Sequence, residues 1–306
     1  MRRKKDKKLL KRVWSYRYVY LFILPAVVWY LIFHYYPMYG VLLAFKNFKY
    51  NLGILGSQWA GLKYFKAFLT DSSFWDIIRN TITISVLKLI FGFPAPIILA
   101  LMLNEVVHSK FKRIVQTVSY LPHFVSWVVV VTILQKLLSP NVGLVNDIRH
   151  SMGLDPIFFM GEPRLFYVLV VISDIWKGVG WGSIIYLAAL TNIDPTLYEA
   201  AEIDGAGRFR KITSITLPCL MPTIGILLIM SLSGILNAGF DQIYLMQTPS
   251  TLGVSEVLDT YVLKKGIRQG EFSYSTAIGL FKSVISMFLI ITVNNVSRRL
   301  TEVSLW

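Results

Sequence analysis

Six apolar runs alternate with polar stretches along the chain: Tyr18–Tyr36, Thr81–Leu103, Val115–Leu138, Leu165–Leu190, Leu217–Asp241 and Tyr274–Val296. Each approaches or exceeds the roughly 20 residues that a helix needs to cross a bilayer. In hydrocarbon the backbone must satisfy its own hydrogen bonds, and the runs are too long for the strands of a membrane barrel. The pattern predicts an all-α, polytopic membrane protein with six transmembrane helices.

Three of the runs are interrupted. Gly92-Phe93-Pro94-Ala95-Pro96 should kink or break span two midway. Pro122-His123 falls in the cytoplasmic third of span three, and Gly178, Gly180 and Gly182 in span four permit close helix approach or local unwinding. Broken helices at membrane depth are tolerated where they line a cavity, which suits a transporter better than an anchor. Between the first two runs, Leu62–Asp71 reads as a short interfacial helix. Trp59, Tyr64, Phe65, Phe74 and Trp75 around it fit an aromatic belt.

Charge orients the spans. Nine Lys/Arg lie in residues 1–17, directly before the first apolar run. With that end inside, the inner segments hold 17 Lys/Arg against 10 in the longer outer segments. The bias predicts both ends in the cytoplasm: a basic arm at 1–17, a membrane domain at 18–296 and a tail at 297–306. The net charge of +14 would suit nucleic acid. Its concentration beside a span points instead to anionic membrane lipid, and no nucleic-acid motif surrounds it. The first run exceeds the 7–15 residues of a signal-peptide core and no small-x-small cleavage site follows, so it is expected to remain as a span.

No catalytic set emerges. His34, His108, His123 and His150 are far apart in sequence and form no metal-binding pair, and Cys219 is the single cysteine. Gly56 and Gly61 have the spacing of a phosphate loop, but Leu62 precedes Lys63 and Tyr64 replaces the hydroxyl residue. With no catalytic or metal site, an energised function requires a partner subunit.

Charges inside the spans are Lys88, Lys136, Asp174, Lys177 and Lys282, with Asp241 at the end of span five. Each costs about 2.5–3.5 kcal/mol at a helix centre unless it faces protein or water. Asp174 and Lys177 stand three residues apart and are expected to pair on one face. Lys136 is expected to snorkel to the outer interface. Lys88 and Lys282 are candidates to line the path of an acidic substrate.

The polar segment between the fourth and fifth runs is the most informative. Tyr198–Pro218 reads YEAAEIDGAGRFRKITSITLP. Asp194-Pro195 is a helix start signal, Gly205 interrupts the helical pattern, and Phe209, Ile212 and Ile215 resume it. The prediction is two short helices with a glycine elbow, on the cytoplasmic side. Glu199, Ala200, Ala201, Gly205, Ile215, Leu217 and Pro218 resemble the EAA loop of ABC importer permeases without departure from its pattern. Asp204 lies within the same loop. The resemblance implies a type I importer permease fold and a coupling helix over 194–218 that docks into a groove on a separate cytosolic ATPase. ATP and Mg would be held by two such ATPase subunits, with no cofactor in this chain. A second homologous permease and an extracytoplasmic solute-binding protein would complete a bacterial inner-membrane assembly.

Further motifs resemble the subgroup that imports complex oligosaccharides. They include Tyr36-Pro37-Met38-Tyr39-Gly40, Trp59–Phe65, Asn80-Thr81, Leu103-Asn104-Glu105, Tyr120–Phe124 and Gly143-Leu144-Val145-Asn146. The substrates this implies are oligosaccharides, including acidic fragments of pectin or alginate type. Relative to the larger maltose-type permease, the chain shows no extra span pair before Tyr18 and no large inserted outer domain. Contact with the binding protein is then expected on three modest outer segments.

A sugar path needs flat apolar faces and short polar groups. Candidates are Trp127, Trp176, Trp181, Tyr186, Asn237, Phe240, Asp241 and Tyr244, besides Lys88 and Lys282. The group from Asn237 to Tyr244 is expected to share one helical face. The alternative is a self-sufficient, ion-coupled sugar transporter, for which Asp174 with Lys177 would supply the titratable pair.

Overall fold

The computed structural model describes residues 14–301, with side chains through 298. Most of the basic arm predicted at 1–17 and the tail beyond 301 lie outside the described residues. Among the described residues, five helices are long and apolar enough to cross a membrane: α1 (Arg17–Phe45), α3 (Phe74–Asn104), α7 (Pro163–Leu190), α9 (Arg208–Ser233) and α12 (Phe272–Thr301). The sixth span is a bent pair, α4 (Ser109–Tyr120, with a tight turn through Phe124) and α5 (Trp127–Leu137), meeting at 101°. The helices overrun the apolar runs because their ends continue as amphipathic turns beyond the hydrocarbon.

Proline shapes three spans in the same way. Pro37, Pro94 and Pro218 each follow by two residues a π turn, at Leu31–Tyr35, Lys88–Gly92 and Ile212–Thr216. A proline has no N–H for the carbonyl four residues back and its ring clashes with that group. The wider π turn moves that carbonyl aside and keeps the helix continuous. Of the kink or break expected in span two, the break does not occur: the helix swells at Lys88–Gly92 and stays continuous. In span three the bend is sharp, because Val125 and Ser126 are extended. Ser126 then caps α5 by accepting a hydrogen bond from the Val129 N–H.

Span four does not unwind at its glycines. α7 runs unbroken for 28 residues. A Cβ at Gly180 would overlap the Ser119 carbonyl on α4, and one at Gly182 would come within 2.9 Å of Pro96 on α3. Gly180 and Gly182 serve close helix approach. Span five departs from its predicted length. Its helix ends at Ser233, the chain turns through 234–239 with Gly239 at φ +93°, and a separate helix α10 (Phe240–Met246) follows.

Outer segments cap the spans. Lys46–Asn47 (β1) pairs antiparallel with Gln58–Trp59 (β2), and α2 (Lys63–Leu69) is the short helix expected within Leu62–Asp71. Asn146, on α6 (Leu144–Ser151), binds backbone at Leu138, Ser139 and Ile157 and so closes the loop between spans three and four. Asn80 and Thr81 of α3 bind backbone at Gly253, Glu256 and Leu258. The last of these opens α11 (Leu258–Leu263). Asp71 accepts from Tyr261 and Tyr274, each at 2.9 Å, beside a core of Phe68, Phe74, Ile77 and Ile278. Burial pushes the Asp71 carboxyl up, but hydrogen bonds from the Ser73 N–H and the two phenols outweigh it and hold the group below its ordinary range. Burial and the same cluster push the Tyr261 phenol up, so it stays a donor.

Two outcomes test this packing. Gly180→Ala should lower the melting temperature of the purified protein, at a cost of about 1–3 kcal/mol for overpacking. Gly178→Ala, with nothing within 4 Å of the new Cβ, should not. The second concerns pH. A lowered native pKa at Asp71 gives stability that is complete above the ordinary aspartate value and is lost as pH falls through the native one. Thermal unfolding followed downward from about pH 4 should therefore show a loss in the wild type that Asp71→Asn lacks.

Candidate functional site

Two places concentrate the predicted residues: a cytoplasmic elbow and a cavity between the spans. At the elbow, Asp194 accepts from the Thr196 N–H at 2.9 Å and starts α8 (Pro195–Ile203). This hydrogen bond holds the Asp194 carboxyl below its ordinary range. α8 ends in a Schellman motif. The Ala206 N–H donates to the Ala201 carbonyl at 2.8 Å, and the Gly205 N–H donates to Glu202 at 3.0 Å. Gly205 sits at φ +75° with open space around it, so conformation and not room demands glycine there. The second arm is not a short helix of its own. It is the cytoplasmic end of α9, continuous from Arg208 through Leu217 and Pro218 into span five.

The two arms are tied. Lys211 reaches Glu202 at 2.9 Å, and its hydrogen bond and charge hold the Glu202 carboxyl below its ordinary range. Tyr198 meets the buried Thr216 at 2.9 Å, beside the half-buried Ile215. The outer faces are unpartnered. Ile203 is 88% and Phe209 80% exposed. Glu199, Ala200 and Asp204 are exposed too, and Glu199 makes no ion pair among the described residues.

The cavity holds about 520 Å³ between α3, α7, α9 and the turn at 234–237. Of the path candidates, Lys88, Tyr186 and Asn237 line it. Lys88 stands fourteen residues into α3, about 21 Å along it. Its ammonium meets three acceptors: Asp174 Oδ1 at 3.1 Å, the Ala238 carbonyl at 2.9 Å and Gln242 Oε1 at 2.5 Å. Gln242 is fully buried and donates to the Val170 carbonyl and to Ser173 Oγ, both at 2.8 Å.

The expected Asp174–Lys177 pair is therefore not formed. Asp174 turns to Lys88 on another span, while Lys177 donates to the His123 carbonyl at 2.6 Å and lies over the Trp127 ring. Lys177 thereby satisfies a carbonyl at the bend of span three, where no intrahelical donor is available. This separation removes the titratable pair on which an ion-coupled mechanism was expected to rest.

Other candidates lie elsewhere. Trp181 stacks on His123 at 4.6 Å, and Trp176 is half exposed away from the cavity lining. Phe240, Asp241 and Tyr244 share α10, but Gly239 separates them from Asn237, so the four do not form one helical face. Phe240 stacks on Tyr244, whose hydroxyl accepts from Arg268. Lys282 pairs with Asp259 at 2.6 Å. The sequence reading missed Gln242 and the role of Asp174. Two opposite charges at similar depth on different spans were the available signal.

A bundle of six spans with a charged cytoplasmic elbow and, between the spans, a largely apolar cavity that holds one charged pair is a membrane transport subunit. Residues 92–302 match the family described as binding-protein-dependent transport system inner membrane component. The chain belongs to that family and is a multi-pass protein of the bacterial inner membrane.

It is 42% identical over 301 residues to the polygalacturonan/rhamnogalacturonan transport system permease protein YteP of Bacillus subtilis (strain 168), covering 98% of this chain and 94% of the relative. To protein LplB of the same organism it is 44% identical over 290 residues, or 95% and 91% of the two chains. It also superposes, with a TM-score of 0.90 and 40% identity, on a chain from the crystal structure of a bacterial ABC transporter involved in the import of the acidic polysaccharide alginate. That match covers 96% of this chain and 99% of the other.

Proposed function

We propose that the chain is the permease subunit of an ATP-driven importer that moves acidic oligosaccharides, of pectin or alginate type, from an extracytoplasmic binding protein into the cytoplasm. The observation that carries this reading is the elbow. Ile203 and Phe209 are exposed apolar side chains on the cytoplasmic side, next to Glu199, which has no ion pair among the described residues. A surface of that kind needs a partner. The partner is a cytosolic ATPase groove that takes α8, with a basic residue opposite Glu199. Two such ATPases and a second permease complete the assembly, and ATP hydrolysis belongs to the ATPases.

Alternating access follows from the connections. Closure of the ATPases on ATP moves α8, and the Glu202–Lys211 and Tyr198–Thr216 ties pass that motion to α9. α9 then swings one wall of the cavity, and the path opens toward the binding protein. The acidic substrate class is supported by the relatives that carry polygalacturonan, rhamnogalacturonan and alginate, and by a cation, Lys88, in the cavity wall.

The experiment is uptake by the assembled importer. Glu199→Lys and Phe209→Asp should each abolish uptake of acidic oligosaccharide and substrate-stimulated ATP hydrolysis, while the subunit still inserts in the membrane. Normal uptake by both variants would overturn the docking assignment.

A further inference from the structure

Resting on that reading, we propose that Lys88 selects the acidic sugar at mid-membrane, with Asp174 as a resident counter-ion that the sugar carboxylate displaces and that later reclaims the cation. The cavity wall has two charged residues, Lys88 and Asp174, and they face each other at 3.1 Å. Their holds are unequal. The Lys88 side chain is 13% exposed and has two further acceptors, whereas the Asp174 side chain is 35% exposed and has no other partner among the described residues.

The seat of Lys88 does not depend on Asp174. It is made of a backbone carbonyl and an amide whose orientation is fixed, because Gln242 Nε2 already donates to Val170 and Ser173. Gly239 keeps the seat open, since a Cβ there would come within 2.7 Å of Lys88 Nζ. When Asp174 turns toward the wet cavity, the ammonium stays in place with one donor direction free.

A carboxylate arriving in the cavity replaces one charge-assisted hydrogen bond with another of the same kind. A neutral sugar has only hydroxyls to offer and leaves Asp174 where it is. The exchange also sets the strength of binding. An unpaired lysine in this environment would hold an acidic sugar tightly and slow its departure. Asp174 competes for the same ammonium and so allows release toward the cytoplasm. No bond is made or broken, and no proton needs to move.

The test uses the complete importer in proteoliposomes, with trigalacturonate and an alginate trisaccharide as probes. The double variant Lys88→Gln/Asp174→Asn removes both charges together and so avoids a buried unpaired ion. Its assembly is checked by copurification with its partners and by melting temperature. If the pair only stabilises the fold, the double variant transports normally, and the proposal is overturned. If Lys88 selects the substrate, uptake falls by at least about tenfold, the loss of one charge-assisted hydrogen bond, and Lys88→Arg retains it.

Asp174→Asn gives an independent reading. Without its competitor the cation should hold substrate longer, so KM falls severalfold and the maximal rate falls with it. An unchanged or higher KM overturns the proposal even if the double variant fails to assemble. A wild-type importer that takes up neither probe defeats the acidic-substrate reading itself, and this outcome is distinct from both.

Discussion

Every amide in the bilayer has to find a partner inside the protein. That constraint organises this chain more than any single contact. Prolines deprive carbonyls of their helical donor, and at Pro37, Pro94 and Pro218 the helices answer with a π turn just before the proline. Where span three bends by 101°, the ammonium of Lys177 takes the His123 carbonyl. Where span five ends, Lys88 takes the Ala238 carbonyl. The two lysines are affordable in hydrocarbon because each closes a gap in the backbone ladder. Polar side chains do the same at the outer rim, where Asn80 and Asn146 bind the carbonyls of irregular segments.

The cytoplasmic elbow was legible in the sequence because its determinants are local. Asp194-Pro195 starts α8, and Gly205 ends it with a Schellman motif that depends on residues within one turn. The spans were legible for a similar reason, since twenty apolar residues need no tertiary context. What the sequence reading could not resolve is pairing between spans. Asp174 is three residues from Lys177 in the chain, and the i, i+3 rule joins them, yet α3 brings Lys88 closer to it. Gly239 is one of three glycines in the apolar run 217–241, but its positive φ closes the turn that follows one helix and starts the next. That one residue separates Asn237 from the α10 aromatics. Likewise Gly180 and Gly182 read equally well as contact or as unwinding, and only the presence of Ser119 and Pro96 opposite decides for contact.

Span five joins the two functional regions into one mechanical element. α9 begins at Arg208, separated from Gly205 by Ala206-Gly207, and runs 26 residues to Ser233. The π turn before Pro218 keeps it continuous across the membrane boundary. Immediately beyond its outer end lies the turn that presents Ala238 to Lys88. In the proposed mechanism a displacement applied to α9 at the elbow reaches the cavity wall through one continuous helix. The helical path is interrupted beyond, at 234–239, and α10 then packs through Ile243 and Met246 against Val131, Phe166 and Val257. The rigid arm and the fixed outer helix meet at the site of the buried cation.

The placement of the charges follows from this arrangement. An Asp174–Lys177 pair on one helix would move as a unit with α7 and sense nothing of span five. Pairing across α3 and α7, with the third side of the ammonium supplied by the end of span five, makes the cation report on three elements at once. A neutral donor at position 88 would satisfy the Ala238 carbonyl and Gln242 Oε1 without a charge, and buried ion pairs often contribute little net stability. The fold thus needs a donor at this depth but not a charge. The proposed recognition of a charged passenger would use that charge, and Gln242, held rigid by Val170 and Ser173, fixes where it stands.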